Sequence, residues 1–286
     1  MRNNEDRLGT KSIDGDAPPQ TGGSHGGASF SFSTPTEFVD LPSKGRYYPE
    51  GHALRGKEEV EIRHMTARDE DILTSETLIK KGIAVERLLQ NVLVDKSIDV
   101  KGLLIGDKNA LVVATRITGY GEEYHTQMVC PACLKTVEQT FNLGIHSLYH
   151  ATDEDLKNRD IVQTSNGTFI MSVPASKAEV EVRLMSGHDE EYLTRQTEIN
   201  KKNKLPESML TDQLRRMMVS VNGDSSNKMI SDFIHHMPAK DSRYLRTEYH
   251  KVVPDINMAQ EFSCASCGHA QELEVPFTVD FFWPRQ

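Results

Sequence analysis

One sixteen-residue stretch of this chain occurs twice, and it limits the fold more than any other feature. EVEIRHMTARDEDILT at 59–74 aligns without a gap against EVEVRLMSGHDEEYLT at 179–194. Nine of the sixteen positions are identical: Glu59, Val60, Glu61, Arg63, Met65, Asp69, Glu70, Leu73 and Thr74 all recur 120 residues later. Most of the other changes are mild, such as Ile62 for Val182, Thr66 for Ser186 and Asp71 for Glu191. Each copy begins with the polar–apolar alternation of a short strand. Thr66-x-x-Asp69 and Ser186-x-x-Asp189 then supply helix N-terminal capping signals, with acids at the positive end of the dipole.

Beyond the matched block both copies read as helical, through IAVERLLQNVLVD and GDKNALVVATRITGYG in the first, and ESMLTDQLRRMMVSV, KMISDFIHHM and KDSRYLRTEYHKVV in the second. Each then reaches a Cys-x-x-Cys pair, CPAC at 130–133 and CASC at 264–267. Cys130 and Cys264 lie 134 positions apart rather than 120, so the second copy is longer by about fourteen residues. The polar runs KKNKLPES and NGDSSN are the natural places for them. The chain reads as an internal duplication.

The residues flanking each pair alternate. Val137, Phe141 and Leu143 follow the first, and Leu273, Val275 and Phe277 follow the second. A thioredoxin-type pair would instead open a helix. Each pair is therefore expected at the tip of a β-hairpin, and two such knuckles facing each other make the four-thiolate site of a zinc ribbon. Cys130, Cys133, Cys264 and Cys267 are the predicted ligands of one structural Zn2+, with disulfides, idle thiols or a redox centre as the alternatives. His269, two residues after Cys267, is a substitute ligand, whereas His125 reads as a strand side chain.

The expected architecture is α+β and internally duplicated. Each repeat has a short strand, several helices and a CxxC-tipped β-hairpin, and the two hairpins form a zinc-ribbon-like site. Residues 1–35, rich in Gly, Ser, Asn, Asp and Pro, are expected to form a disordered arm. Phe30 and Phe32 would be its anchors on a partner. Residues 36–58 form an extended Pro/Gly-punctuated segment, 59–150 the first repeat with the CPAC hairpin, 151–178 a linker and strand, and 179–286 the second repeat with the CASC hairpin. Phe281, Phe282 and the sole tryptophan, Trp283, stand near the C-terminus. They suit either closure of the second repeat's core or contact with a partner protein.

Composition excludes several functions. The 286 residues carry a net charge of −9, and Glu122, Glu123, Glu138, Glu261, Glu272 and Glu274 flank the knuckles, whereas a nucleic-acid interface is basic. No apolar run reaches the roughly 18 residues of a membrane span. The N-terminus lacks the apolar core of a secretory signal, and cysteines confined to CxxC pairs fit a reducing compartment. GHALRGKE at 51–58 fails as a phosphate loop, because Glu58 stands where a hydroxyl would bind magnesium and no apolar strand precedes it. The eleven histidines form no catalytic constellation. DEDIL and DEEYL read as first-turn helix acids rather than metal ligands. Nothing in the chain reads as an enzyme.

FVDLPSKGRYYPEGHAL, MTARDEDILTSETLIKKG, LLIGDKNALVVATRITGYGEEY and CPAC together resemble the baseplate hub protein family of T-even-like contractile-tailed bacteriophages. The likeness runs from about residue 38 onward and is strongest in the first repeat. It implies a non-enzymatic structural or assembly protein that binds other hub or tail proteins. Such a protein works in the host cytoplasm during assembly or in the virion baseplate, without contact to nucleic acid or membrane. Homo-oligomerisation is left open. The rival reading is a zinc-ribbon nucleic-acid-binding or regulatory adaptor.

Overall fold

The computed structural model describes residues 34–277 and 281–283, so the anchors expected at Phe30 and Phe32 lie outside the described residues. In the first half, β1 (Thr36–Asp40) is followed by turns and then β2 (Glu59–Arg63), α1 (Ala67–Thr74), α2 (Glu76–Lys80), α3 (Ala84–Val92) and α4 (Ile105–Tyr120). Next come the hairpin β3 (Glu123–Val129) and β4 (Thr136–Asn142), then β5 (Ser147–Tyr149) and α5 (Asp153–Asn158). The second half runs β6 (Ile161–Gln163), β7 (Phe169–Ser172), β8 (Glu179–Val182), α6 (Gly187–Lys202), α7 (Met209–Met217), β9 (Met218–Val221), α8 (Asn227–His236) and α9 (Ala239–Val252). It ends with β10 (Asp255–Asn257) and the hairpin β11 (Ala259–Ser263) and β12 (Ala270–Glu274). The fold is mixed α/β with small antiparallel sheets, and nine helices among the described residues. None of these helices is long and apolar enough to cross a membrane.

The matched sequence blocks take the same local structure. β2 enters α1 as β8 enters α6, and in each case an aspartate at the third helical position is buried. Asp69 accepts hydrogen bonds from the Thr66 amide and hydroxyl (both 2.8 Å) and from Arg63, at 2.6 and 2.8 Å. Asp189 does the same with Ser186 and Arg183. A later helix adds one further donor to each, Asn91 from α3 (2.6 Å) and Arg216 from α7 (2.6 Å). These groups make the cap at the start of α1 or α6 the point where three elements are tied together.

A second parallel was not visible in the repeat. Asp107 and Asp241 are both fully buried in the first turns of α4 and α9. Asp107 accepts from the Ser43 amide (2.9 Å) and hydroxyl and from Tyr48 (2.7 Å), holding the turn after β1. Asp241 accepts from the Ala175 and Ser176 amides, at 2.6 and 2.8 Å, holding the turn after β7. The length difference between the halves falls between α6 and α7 and around α8, at the polar runs noted in the sequence.

β6 and β7 join β8 and β9 in one four-stranded sheet, so residues 151–178 contain a short helix and half a sheet rather than a linker and one strand. The backbone also joins the halves directly. Ile105 N–H donates to the Met185 carbonyl (3.2 Å), Gly187 N–H donates to the Leu103 carbonyl (3.0 Å), and β5 pairs with β10. Gly106 permits this approach, because a Cβ there would collide with the Pro254 carbonyl. One apolar core runs through both halves, and a separate small cluster lies beneath the cysteine knuckles.

Candidate metal centre

The two hairpins form because their strands alternate and their tips carry tight turns. β3 pairs with β4 from Glu123 opposite Asn142 to Val129 opposite Thr136. β11 pairs with β12 from Ala259 opposite Glu274 to Ser263 opposite Ala270. At the first tip Cys130 N–H donates to the Lys135 carbonyl (2.9 Å) and Leu134 N–H donates to the Cys130 carbonyl (2.9 Å). At the second, Cys264 N–H donates to His269 (2.8 Å) and Gly268 N–H to Cys264 (2.8 Å). Leu134 and Gly268 take the left-handed conformation at matching positions, with φ of 59° and 72°. The tips are two copies of one knuckle, and glycine fits the turn without strain.

The knuckles face each other, and all four cysteines are free thiols. Their four sulfurs lie within 4.8 Å of one another. The Sγ atoms of Cys130 and Cys267 are 3.8 Å apart, as are those of Cys133 and Cys264. A tetrahedron with zinc–sulfur bonds of about 2.3 Å has edges of about 3.8 Å, whereas a disulfide needs about 2.05 Å. The spacing is that of co-ligands. The residues present therefore fit a tetrahedral metal ion with no position left for a substrate.

Burial and backbone donors tune the thiols unequally. The Cys133 amide at its sulfur holds the Cys130 thiol well down, to about 6, against the opposing effect of lost hydration. Cys267 goes the other way: the His269 amide pulls its thiol down, but lost hydration and the neighbouring sulfurs push it up to about 12. Four crowded sulfurs cannot all shed their protons without a cation among them. Cys130 and Cys264 are buried on Phe262, with Met128, Val137 and Leu273 packed around them, while Cys267 is exposed.

Neither histidine joins the sulfurs. His269 Nε2 pairs with Gln271 Oε1 at 3.0 Å, and His125 Nδ1 with Thr140 Oγ1 at 2.8 Å. A second clamp between the hairpins comes from Gln260, which sequence reading did not single out. Its Oε1 accepts from the Asn142 amide (3.1 Å) and its Nε2 donates to the Asn142 carbonyl (2.6 Å). A lone glutamine on a strand carries no signal of such a role. The glutamates flanking the knuckles are exposed.

Phe281 and Phe282 are buried in the chain's own core, and Phe281 reaches the first half as well as Phe277 of the second, which it meets edge-on at 4.9 Å. Phe281 meets Tyr124 edge-on at 5.1 Å, and its carbonyl accepts from buried Arg116 Nε at 2.6 Å. Trp283 is half-buried and donates through Nε1 to the Leu73 carbonyl at 2.8 Å.

The model of the T4 bacteriophage base plate protein family matches residues 35–283, which covers both halves and both knuckles. The chain belongs to this family. No curated protein and no solved structure shows significant similarity to it. For this baseplate protein, family membership points to a structural role in the phage baseplate.

Proposed function

We propose that this chain is a non-enzymatic structural or assembly protein of the hub of a contractile-tail baseplate. It is built by duplication of one strand–helix–knuckle unit. Its four cysteines hold a structural Zn2+ that cross-links the two units. The observation that carries this reading is the tetrahedral spacing of two cysteines from each half, in a chain of the base plate family. The matching capped aspartates and buried carboxylates support the duplication. Partner proteins are other hub or tail proteins, met during assembly in the host cytoplasm and retained in the tail. The partner contact expected at the aromatic C-terminus falls to Trp283, since Phe281 and Phe282 are occupied within the chain.

Elemental analysis of the purified protein, paired with thiol counting before and after chelation, tests the metal. The expected result is near one zinc per chain, with the thiols reactive only after chelation. Tail assembly in a phage carrying Cys130→Ser with Cys264→Ser tests the role. Normal tails from that variant would remove the structural-zinc reading.

A further inference from the structure

β1 and β2 pair with each other, and their outer edges differ. Leu41 N–H donates to the Glu58 carbonyl (2.7 Å) and His64 N–H to the Pro35 carbonyl (2.8 Å). The register runs from Thr36 opposite Arg63 to Asp40 opposite Glu59. Bonded and non-bonded pairs alternate along an antiparallel ladder, so Glu37 and Val39 turn their backbone groups toward β2 while Thr36, Phe38 and Asp40 turn theirs away. The outer edge of β2 is taken: the Glu61 carbonyl accepts from Val94 N–H at 3.1 Å, and Ile62 bridges Leu93. The outward groups of Thr36, Phe38 and Asp40 have no hydrogen-bond partner among the described residues.

A groove of about 320 Å³ runs along this bare edge. The four residues from Glu37 to Asp40 line it and no residue of β2 does, so it lies on the open side of β1. α4 lines it through Ala110, Val113 and Ala114, and the turn after β4 through Gly144 and His146. Small side chains on α4 let another backbone come close. Three carboxylates, Glu37, Asp40 and Glu122, line the groove, and no lysine or arginine does. Glu37 has His64 at 3.8 Å, whereas Asp40 and Glu122 make no ion pair among the described residues.

We propose that this groove takes an extended basic segment of another baseplate protein, which adds to β1 as a third strand. The inference rests on the partner-binding reading above. Main-chain bonds to Thr36, Phe38 and Asp40 give the pairing, and alternate side chains of the incoming strand meet two different faces. Val39 is buried and Phe38 is 63% exposed, so one face rests toward α4 and the other meets solvent beside Asp40. Apolar residues suit the first face, and lysine or arginine suits the second. A bare edge with an exposed phenylalanine at its centre is a template for pairing. Charge decides against a second copy of this chain, whose β1 would bring its own Glu37 and Asp40 beside these acids.

The probe is a labelled synthetic peptide of alternating lysine and valine, titrated into the full chain and followed by fluorescence anisotropy. Binding is expected to weaken with salt and to protect the Phe38 and Asp40 amides from hydrogen exchange. It should fall about tenfold or more in Phe38→Pro, which deletes an outward N–H and leaves the β1–β2 bonds in place. Asp40→Lys/Glu122→Lys, at two exposed positions, should weaken it as well, and carries the test alone if Phe38→Pro melts early. The same peptide N-methylated throughout keeps its charge, loses its donors and should not bind. No binding by wild type, equal binding by the variants, or undiminished binding of the methylated peptide overturns the proposal. So does protection of the Phe38 and Asp40 amides in the free monomer, which would make another segment of this chain the occupant. A dimer in light scattering that Phe38→Pro dissolves would overturn it in favour of a second copy. Absence of peptide binding while tails still require the zinc knuckles would remove this inference and leave the proposed function standing.

Discussion

At the scale of single residues, four buried carboxylates do most of the organising: Asp69, Asp107, Asp189 and Asp241. Burial alone would raise Asp189, but the Arg183 guanidinium, the Ser186 amide and Arg216 bring its carboxyl down to about 2. A lowered acid contributes stability that is full above its unfolded value near 3.8 and is lost as pH falls through that value toward 2. Asp189→Asn should therefore cost about 2–3 kcal/mol at neutral pH, at the lower end for a broken buried pair because both arginines face solvent. In urea titrations the gap from wild type should shrink below pH 3.8, and a gap unchanged by pH would refute the ion pair's role. Asp107 runs the opposite way. Its burial pushes the carboxyl up despite the bonds from Ser43 and Tyr48, so its contribution is full at low pH and declines as pH rises through the raised value. Tyr48→Phe removes a donor to Asp107 and strands the buried Leu104 amide, which now donates to Tyr48 Oη at 3.1 Å. A loss of about 2 kcal/mol is expected by thermal or chemical melting. The capped aspartates were legible, because hydroxyl-x-x-acid ahead of an apolar run has a local meaning. Asp107 and Asp241 were not, since their donors come from turns 59 to 66 residues away.

Among the elements, the C-terminal segment departs furthest from its sequence reading. An aromatic run near the end of the second repeat suggested closure of that repeat or a partner contact, yet it reaches the first half as well. Arg116 explains the crossing. It is buried at the end of α4, where its cation needs acceptors, and it donates to the carbonyls of Phe281, Gly121 (2.9 Å) and Glu123 (3.1 Å) while lying over the Tyr120 ring. Lost hydration depresses its ionisation, which makes those carbonyls costly to remove. Arg116→Met should cost about 2–3 kcal/mol and release the segment. The chain has one tryptophan, so its emission reports this directly. A red shift in Arg116→Met at temperatures where circular dichroism is unchanged is expected, and an unshifted spectrum would show that the segment docks without Arg116.

On the scale of the whole molecule, the two halves share one apolar core and several backbone bonds, so the cysteine knuckles brace a joint that exists without them. Chelation should then loosen the hairpins without unfolding the chain. In hydrogen exchange the β3–β4 and β11–β12 amides are expected to lose protection while the β6–β9 sheet keeps its own. Global unfolding on chelation would mean that the metal carries the fold. By itself the sequence determined the repeated strand–helix units, their caps, the hairpins and the cysteine tips, because strand alternation, helix capping and tight turns depend on residues a few positions apart. It also held the baseplate resemblance, carried by stretches spread along the first half. Only the tertiary structure decided that the two knuckles meet at sulfur–sulfur distances of 3.8 Å, that the four-stranded sheet takes in residues 161–172, and that the aromatic segment crosses to the first half. The meeting of the knuckles and the crossing of the aromatic segment depend on contacts between residues more than a hundred positions apart, and no local pattern encodes such distances. The sheet joins strands closer in sequence, but which of them pair is set by the apolar surface they cover together.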